Sequence, residues 1–566
     1  MTRNEVNKME INHLRYEPLA EYSAVFGHEM DDAALKDMLS RIGCQKAIAI
    51  LSRFASLHIA VCHKIQDAVC LDWQLRLIHS DHIKKAGGAW LQYNQFSTII
   101  CPQSIFILEK WALVYCPVEE AFSPITMPDL MLIMDALLAI NDMLPKDDVD
   151  GHETEYLYLT LYHNTHRIIK DQIARAYYVY STLAKLDQET TGFLSRYEQN
   201  RGFSVEDRLA VLFNSLTFVI PQFTVEAMFT KGLCVEAEGF DAKGLAAVYD
   251  KIVRGVRSDY EKAKRDASRV LEQVWNFESF YRTPFVKIGD LQFAFSETAI
   301  VYQIWEGLYW DVRFTFKDDG EAFMTHFGRP FEHYIQEITR SAVAESKGAA
   351  LFNNEFFYKY KGNSTASTDC YFRIGNTLIA VEAKAKSPHS STLTGVAREA
   401  INNEVNELMV SPVTQVLTRL KEIYSDENDI IGETADFFKG IEQTIILSVC
   451  MEKVQPIGEL LYAFDAKIKE QLAETSVVAY HNVSVEDYEV ICNLIETCPS
   501  ELPTILTSWF ADQRKDIRSA VVLVNFLSSC GKQYVCSMHI SSLFANSLRE
   551  ISLKTFGEDL TPKLKT

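Results

Sequence analysis

Apolar residues recur at helical spacing over most of the first half of the chain. From about Asp31 to Ile78 they stand three and four residues apart, which is the period of an amphipathic helix. The same period returns from Pro128 to Leu144, from about His152 to Leu186 and from Lys251 to Arg269. We therefore predict that residues 1–280 form one or two mainly helical domains, with a sensor or recognition role.

A different pattern begins near residue 281. Phe285 to Phe295 predicts a β-hairpin about Gly289-Asp290, and Ser296 is placed to cap a helix that runs through Trp310. We assign residues 281–326 to this hairpin-helix connector. The pattern predicts a helical region again from Ser484, so residues 483–566 are assigned to a helical C-terminal region.

Between these regions, residues 327–482 alternate between strand and helix patterns. The predicted elements are a helix from Phe327 to Ile338 with Pro330 in its first turn, a strand from Leu351 to Tyr360, a hairpin from Ser367 to Lys386, a helical region from Gly395 to Tyr424 that Pro412 breaks near Ser411, a strand from Gln443 to Cys450, a helix from Ile457 to Leu472, and a short strand from Val477 to Tyr480. The predicted fold class is therefore α+β or α/β multidomain.

The hairpin is centred on Gly375-Asn376, two residues that tolerate a positive φ. If these two form the turn, Ile374 pairs with Thr377, and counting outward sets Asp369 directly opposite Glu382. Cross-strand partners share one face of a sheet, and Lys384, two residues beyond Glu382, shares it too. The sequence therefore predicts that Asp369, Glu382 and Lys384 converge.

This convergence has a chemical consequence. Two carboxylates about 5 Å apart repel each other, and the apolar run from Leu378 to Val381 predicts that their strand is buried. A hard divalent cation with carboxylate and water ligands would neutralise them. A neighbouring lysine can orient or help to deprotonate a water molecule and can stabilise charge on a phosphate. The trio therefore suits phosphodiester hydrolysis.

Asp369, twelve intervening residues, and then Glu382-Ala383-Lys384 resemble the core motif of the PD-(D/E)XK nucleases, the restriction-endonuclease-like superfamily. Thr368 stands where the family name has proline. The resemblance covers residues 327 to about 480 and implies an αβββαβ nuclease core. It also implies that Asp369, Glu382 and the Ala383 carbonyl bind Mg²⁺, with Mn²⁺ as a possible substitute, and that Lys384 serves the attacking water.

The resemblance implies further site residues. Gly328-x-x-Phe331-Glu332 is similar to the start of the first core helix of the family, so Glu332 is expected as an auxiliary metal ligand; a glutamate near a helix start is also favoured by the helix dipole alone. Gln415 stands where several relatives place a glutamine that contacts the site, and Lys386 is a candidate for nucleic-acid binding. By analogy, the expected function is a DNA endonuclease of a bacterial restriction or defence system.

Other interpretations of the same residues remain open. In the alternative interpretation, the hairpin is structural and Lys384 or Lys386 simply pairs with Glu382 or Asp369. The domain would then be a catalytically inactive module that binds nucleic acid or protein, or the chain would be a helical scaffold that regulates a partner enzyme. A homo-oligomer is also compatible with the sequence.

Charge is distributed unevenly along the chain. The 566 residues carry a formal net charge of −20, which opposes general attraction to nucleic acid. Between Gly320 and Glu422, however, eleven basic residues balance eleven acidic ones. Twelve cysteines without metal-type pairs, a start without an apolar signal segment, and acidic residues within the most apolar stretch predict a cytoplasmic protein without a membrane span.

Three further clusters carry weaker signals. Arg254, Arg257, Lys262 and Arg265 lie in the most basic stretch of the N-terminal half and form either a solvated helix face or a strip along a phosphate backbone. His163 and His166 could share a helix face as metal ligands, although no further ligand stands at a recognisable spacing. The four cysteines at 492, 498, 530 and 536 have spacers too long for a usual zinc site and are interpreted as buried thiols.

Overall fold

The computed structural model describes residues 19–57, 65–88, 99–144, 169–219, 224–229, 245–315, 320–394, 398–452, 458–472, 475–515, 523–532 and 537–559. Within these ranges the protein is mixed α+β, with helices predominating. None of their helices combines the length and the apolar character needed to cross a bilayer.

The first half is helical, as the sequence predicts. Its helices are α1 (Tyr22–Phe26), α2 (Asp32–Leu39), α3 (Cys44–Ser56), α4 (Ile65–Lys85), α5 (Pro102–Tyr115), α6 (Met127–Met143), α7 (Ile169–Ser181), α8 (Gln188–Arg201), α9 (Val205–Val219), α10 (Leu245–Gly255), α11 (Tyr260–Arg269) and α12 (Glu278–Arg282), with 3₁₀ turns at Leu183–Lys185 and Glu226–Phe229. Strand β1 (Arg257–Asp259) separates α10 from α11.

The single helix predicted from Lys251 to Arg269 is therefore wrong. Strand β1 pairs in parallel with the strand that contains Phe285. Asp259 then caps α11, because its side chain accepts a hydrogen bond from the Lys262 N–H (2.8 Å). An N-cap residue needs an extended backbone, so the helix has to restart here.

The connector contains β2 (Phe285–Ile288), β3 (Leu291–Ala294), α13 (Glu297–Ile304) and α14 (Glu306–Thr315). The predicted hairpin is confirmed, since Ile288 pairs with Leu291 and Gly289 has φ 62°. Ser296 caps α13 as expected. The helix predicted to run through Trp310 is interrupted at Trp305, whose side chain is buried in the core.

The second half is built on one five-stranded sheet. Its elements are α15 (Gly320–Glu345), β4 (Leu351–Asn354), β5 (Phe357–Tyr360), β6 (Asn363–Ala366), β7 (Cys370–Ile374), β8 (Thr377–Lys384), α16 (Ser390–Leu393), α17 (Arg398–Glu404), a π-helix (Val405–Val410), α18 (Ser411–Ile423), α19 (Gly432–Phe438), β9 (Gln443–Cys450), α20 (Gly458–Lys469), a 3₁₀ turn (Glu470–Leu472), β10 (Val477–Ser484), α21 (Val485–Thr497), a 3₁₀ turn (Pro499–Glu501), α22 (Leu502–Asp512), α23 (Leu523–Ser529) and α24 (Met538–Phe556).

The sheet has the strand order β10-β9-β8-β7-β4. β4, β7 and β8 are antiparallel neighbours, whereas β9 and β10 run parallel to β8 and complete the sheet through helical crossovers. On β8, Ile379, Val381 and Ala383 belong to a core shared with α15. Leu378 and Ala380 belong to the opposite core, under α18. Both faces of β8 are therefore covered, which explains its continuous apolar run.

The helical regions before and after the sheet share its first core. This core extends from Ile173 on α7 to Ile551 on α24, whereas a separate core holds α1 to α6 together with the hairpin of β2 and β3. The N-terminal helices therefore contribute to two cores. The domain boundaries drawn from the sequence at residues 280, 326 and 482 stay predictions.

Pro330 is not in the first turn of a helix, as predicted, but inside α15. A proline within a helix lacks the N–H that would bond to the carbonyl four residues earlier. That carbonyl belongs to His326, and it accepts a hydrogen bond from the Thr190 hydroxyl (3.3 Å). A side chain from α8 thus replaces the missing donor, and α15 begins at Gly320, seven residues before the predicted start at Phe327.

The strand predicted from Leu351 to Tyr360 is also wrong, because the chain changes partner at Glu355. β4 pairs with β7, whereas β5 pairs with β6 in a separate hairpin. The predicted strand Val477 to Tyr480 is longer than expected and reaches Ser484 through an irregularity near Ala479. The strand predicted from Gln443 to Cys450 is confirmed.

Candidate active site

The predicted turn at Gly375-Asn376 is confirmed and fixes the register of the site. Gly375 has φ 57°, a value that glycine adopts at low cost, and Ile374 pairs with Thr377. The ladder continues to Cys370 opposite Val381. Asp369 comes immediately before β7 and therefore faces Glu382, as counting outward from the turn predicts.

Asp369 is held at the end of this ladder. Its Oδ2 accepts a hydrogen bond from the Ala383 N–H (2.6 Å), and its side chain lies among buried atoms. The backbone carbonyl of Asp369 accepts bonds from the Glu355 N–H and from Gln336 Nε2, both at 3.0 Å. Two neighbouring elements, α15 and the turn after β4, thereby fix the position of this aspartate.

Glu382 is the more deeply buried of the two acids, at 2% exposure. Its Oε1 accepts a hydrogen bond from Lys384 Nζ (2.7 Å). Its Oε2 is buried and has no hydrogen-bond partner among the described residues. A buried carboxylate oxygen without a partner costs free energy, so this position calls for a cation or a proton.

Both acids are shifted toward their protonated forms. Burial raises the pKa of Asp369 well above its ordinary value, and the negative charges of Glu382 and Glu332 raise it further. The hydrogen bond from the Ala383 N–H and the charge of Lys384 lower this pKa, but they do not cancel the increase. Burial also raises the pKa of Glu382, although Lys384 opposes the shift. A single lysine therefore does not compensate the two carboxylates.

Lys384 is an ammonium group that donates to two partners. Burial lowers its pKa, but the charges of Glu382, Asp369 and Glu332 outweigh burial and leave the pKa above the ordinary value. Its Nζ donates to Glu382 and also to Gln415 Oε1 (3.2 Å). The protonated lysine can orient a water molecule and stabilise the charge of a phosphate. It cannot accept a proton from that water, because an ammonium group has no lone pair.

Gln415 reaches Lys384 from α18, which follows a π-helix. The wider π-turn aims the Leu408 carbonyl at the sheet, where it accepts bonds from Asn482 Nδ2 (2.8 Å) and Ser448 Oγ (3.2 Å). Pro412 stands at the start of α18 and needs no N–H partner there. The predicted helix break near Ser411 thus takes the form of a π-turn, and Gln415 lies at the site as the resemblance implies.

Glu332 lies near the same group of charges. It is half-buried on α15, and burial raises its pKa; Lys384 opposes that shift, whereas Glu355 and Glu382 add to it. Glu355 was not identified from the sequence. It stands at the break between β4 and β5, and its pKa is raised by burial. No pattern marks this residue, because its position depends on the change of strand partner.

The donor set fits a hard cation. The unpaired Glu382 Oε2 lies near the Asp369 carboxylate. The Ala383 N–H donates to Asp369, and the carbonyl of a strand residue points to the same side of the strand as its N–H, so the Ala383 carbonyl is directed toward Asp369 as well. Carboxylate and carbonyl oxygens are the ligands of Mg²⁺. Within the described ranges, no three His, Cys, Asp or Glu side chains are already gathered closely enough to form a metal site.

The remaining predicted residues lie apart from this group or outside the description. Lys386 pairs with Glu407 (3.2 Å). Arg254 forms an ion pair with Asp250 (3.6 Å), and Arg257 donates a hydrogen bond to Gln292 (2.7 Å). Lys262 and Arg265 are exposed on α11, whose buried side packs in the N-terminal core. Cys492 is buried, Cys498 half-buried and Cys530 exposed, all as free thiols. His163, His166 and Cys536 lie outside the described residues.

Removing the charge of Asp369 should stabilise the metal-free protein. A carboxyl group whose pKa is raised on folding favours the folded state below its unfolded pKa and loses that contribution as the pH rises through the folded pKa. We therefore expect Asp369→Asn to have a higher free energy of unfolding than the wild type at pH 7 in EDTA, with the difference disappearing as the solution is acidified.

Urea unfolding across this pH range tests the prediction. Asp436→Asn is a matched control, because Asp436 is exposed and pairs only with Lys439 at the surface. A wild-type protein that is more stable than Asp369→Asn at neutral pH in EDTA would contradict the prediction.

Comparison with models of known protein families found no match, and neither curated proteins nor solved structures gave a significant match.

Proposed function

We propose that the protein is a metal-dependent nuclease that hydrolyses phosphodiester bonds, with DNA as the substrate of an endonuclease reaction. The observation that carries the proposal is the buried Glu382 carboxylate, which keeps one oxygen unpaired beside Asp369 while Lys384 donates to the other. Two acids and an amine at the end of a buried strand are expensive to maintain for structure alone. A cation and an anionic substrate would offset that cost.

The order of elements supports a restriction-endonuclease-like core within residues 327–482. Helix α15 is followed by the antiparallel strands β4, β7 and β8, then by helices and the parallel strand β9. The hairpin of β5 and β6 is an addition to the order that the resemblance implies. Glu382 lies near the carboxyl end of β8, and Asp369 lies at the start of the neighbouring strand β7.

In the proposed reaction, Asp369, Glu382 and the Ala383 carbonyl hold Mg²⁺, with Glu332 and Glu355 close by. Bound Mg²⁺ would lower the pKa of water and neutralise charge on the phosphate. Lys384 donates hydrogen bonds, which orients the attacking water and stabilises the extra charge on the phosphate oxygens. Gln415 holds the lysine from the opposite side. Attack of the water oxygen would form one P–O bond and break the bond to the leaving oxygen; the proton lost by the water would pass to solvent, and the leaving oxygen would take up a proton from solvent.

The Lys384–Glu382 ion pair favours a second candidate function. A lysine that permanently neutralises Glu382 is expected of an inactive nuclease-type domain that binds nucleic acid or a protein partner. The two candidates differ in metal use, since the binding module needs no cation for its interaction.

Cleavage assays separate the two candidates. Purified protein is incubated with plasmid, linear double-stranded and single-stranded substrates, with Mg²⁺ or with EDTA. The proposal expects Mg²⁺-dependent cleavage of at least one substrate, and its loss in Asp369→Ala and Lys384→Ala proteins that remain folded. Cleavage that persists in both variants would refute the assignment of these residues, and binding without cleavage by the wild type would favour the binding module.

The setting of this activity is also a proposal. A cytoplasmic restriction or antiviral defence effector matches the combination of a nuclease-type site with large helical regions, by analogy alone. In such a protein the helices that surround the sheet would recognise a nucleic acid, a partner protein or a second copy of the chain.

A further inference from the structure

Helix α14 carries an exposed aromatic surface beside the segment that follows the candidate catalytic strand. The rings of Trp310 and Phe314 stack with centroids 5.8 Å apart at 25°, and the Arg313 guanidinium lies 5.0 Å from the Trp310 ring. His389 meets Trp310 edge-on at 6.4 Å. We call Trp310, Arg313, Phe314 and His389 the aromatic platform. Phe314 is its outermost ring, at 54% exposure.

The platform is built on a firmly held helix. Between its members, Asp311 accepts hydrogen bonds from the Tyr197 hydroxyl (2.8 Å) and from Arg208 (3.0 Å), and it also pairs with Arg201. These donors come from α8 and from the buried side of α9. The orientation of Trp310 and Phe314 is thus fixed before any ligand arrives, which lowers the entropic cost of stacking a planar ligand on them.

The platform is continuous with the candidate active site. His389 follows Lys384 by only five residues, so the two lie at most ~17 Å apart. The intervening segment is tied down, because the Lys386 carbonyl accepts from the Met451 N–H (3.0 Å) and the His389 N–H donates to Glu404 (2.8 Å). This separation is within the length of a short strand of nucleic acid.

The charge of the protein shows why such a surface is needed. With a net charge of −20, phosphate contacts alone give weak binding that fails at moderate salt. Stacking of bases on aromatic side chains contributes roughly 1–3 kcal/mol per base and does not depend on phosphate charge. Stacking requires unpaired bases, whose faces a duplex hides. The occupant that fits an exposed ring next to an arginine is therefore an unpaired base.

We propose that the aromatic platform binds an unpaired base of the substrate, so that the nuclease acts on single-stranded nucleic acid or on single-stranded regions of a duplex. This inference rests on the proposed function and specifies its substrate class. Phe314 supplies the stacking face, Trp310 supports it from below, and Arg313 adds positive charge to the stack.

Fluorescence anisotropy in EDTA tests the proposal without cleavage. The probes are a short fluorescein-labelled oligothymidylate, an abasic oligonucleotide of equal length and a duplex. We expect Phe314→Ala to weaken binding of the oligothymidylate about 5- to 150-fold, the range that corresponds to one stacked base. Phe314→Trp should retain the affinity, and the wild type should bind the abasic probe as weakly as Phe314→Ala binds the oligothymidylate.

Phe556→Ala is the matched control, because Phe556 is similarly exposed (50%) on the C-terminal helix α24. Equal affinities of Phe314→Ala and Phe556→Ala, or equal binding of the abasic and normal oligonucleotides, would overturn the proposal. A wild-type dimer that Phe314→Ala dissociates in sedimentation would assign the surface to self-association and overturn it as well. If the wild type cleaves DNA in Mg²⁺ while Phe314 proves irrelevant, only this inference fails; absence of cleavage refutes the proposed function itself.

Discussion

Lys384→Met is expected to lower the rate of phosphodiester cleavage by roughly 100- to 1,000-fold, the usual cost of removing one donor that stabilises developing charge. Methionine matches the length of the lysine stem but cannot donate to Glu382, Gln415 or a phosphate. Because the change also leaves the buried Glu382 without its partner, urea unfolding and circular dichroism first establish that the variant is folded under the assay conditions. The rate constant at saturating DNA and Mg²⁺ is the quantity to measure.

Lys421→Met is the control for this measurement. Lys421 is exposed on α18, the same helix that carries Gln415, so its replacement tests for general effects of lost positive charge. We expect its cleavage rate to stay near that of the wild type. If Lys384→Met and Lys421→Met cleave at equal rates, Lys384 has no part in the reaction.

Arg175→Met is expected to destabilise the protein by about 3–5 kcal/mol above pH 8, where Glu489 is ionised and loses the partner of its buried charge. Arg175 Nη1 donates to Glu489 Oε1 (2.7 Å), and the Tyr334 hydroxyl donates to the same oxygen (2.6 Å). Glu489 is fully buried, and burial raises its pKa to about 8 against the opposing charge of Arg175. Tyr334 lies on α15, so this cluster joins α7, α15 and α21.

A double-mutant cycle in urea unfolding tests the prediction. Glu489→Gln removes the acid, so the double variant should lose much less stability than the sum of the two single changes. Arg254→Met, which breaks only an exposed pair with Asp250, should change stability by less than about 1 kcal/mol. Additive effects of the two changes in the cluster would show that Arg175 does not neutralise Glu489.

The same cluster gives a pH dependence. Because the folded pKa of Glu489 lies above the unfolded value, its contribution to stability is complete below the unfolded pKa and is lost as the pH rises through about 8. The wild type should therefore lose stability more steeply than Glu489→Gln as the pH rises from about 4.5 to about 8, and the two proteins should show the same pH dependence above that range.

The elements predicted correctly from the sequence are those whose signals are local. The turn at Gly375-Asn376 needs only two residues with the right backbone preference, and its register then places Asp369 opposite Glu382 by counting alone. β9 is recognisable because a strand covered on both faces is apolar throughout. The core of the candidate site was predictable because all three residues belong to one hairpin.

The errors have tertiary causes. Pro330 is tolerated inside α15 because Thr190, distant in sequence, donates to the carbonyl that the proline leaves without a partner. Glu355 joins the charged group because the chain changes strand partner there, which no local pattern announces. The π-turn before Gln415 also has distant partners, because its Leu408 carbonyl accepts hydrogen bonds from side chains of β9 and β10.

Calorimetric titration with Mn²⁺ at neutral pH tests most directly whether the buried carboxylates form a cation site. We expect saturable binding to the wild type at millimolar or lower concentration, its loss in Asp369→Asn, and its retention in Lys384→Met. If the wild type and Asp369→Asn give the same titration heats and neither protein shows saturable binding, the buried carboxylates do not form a cation site.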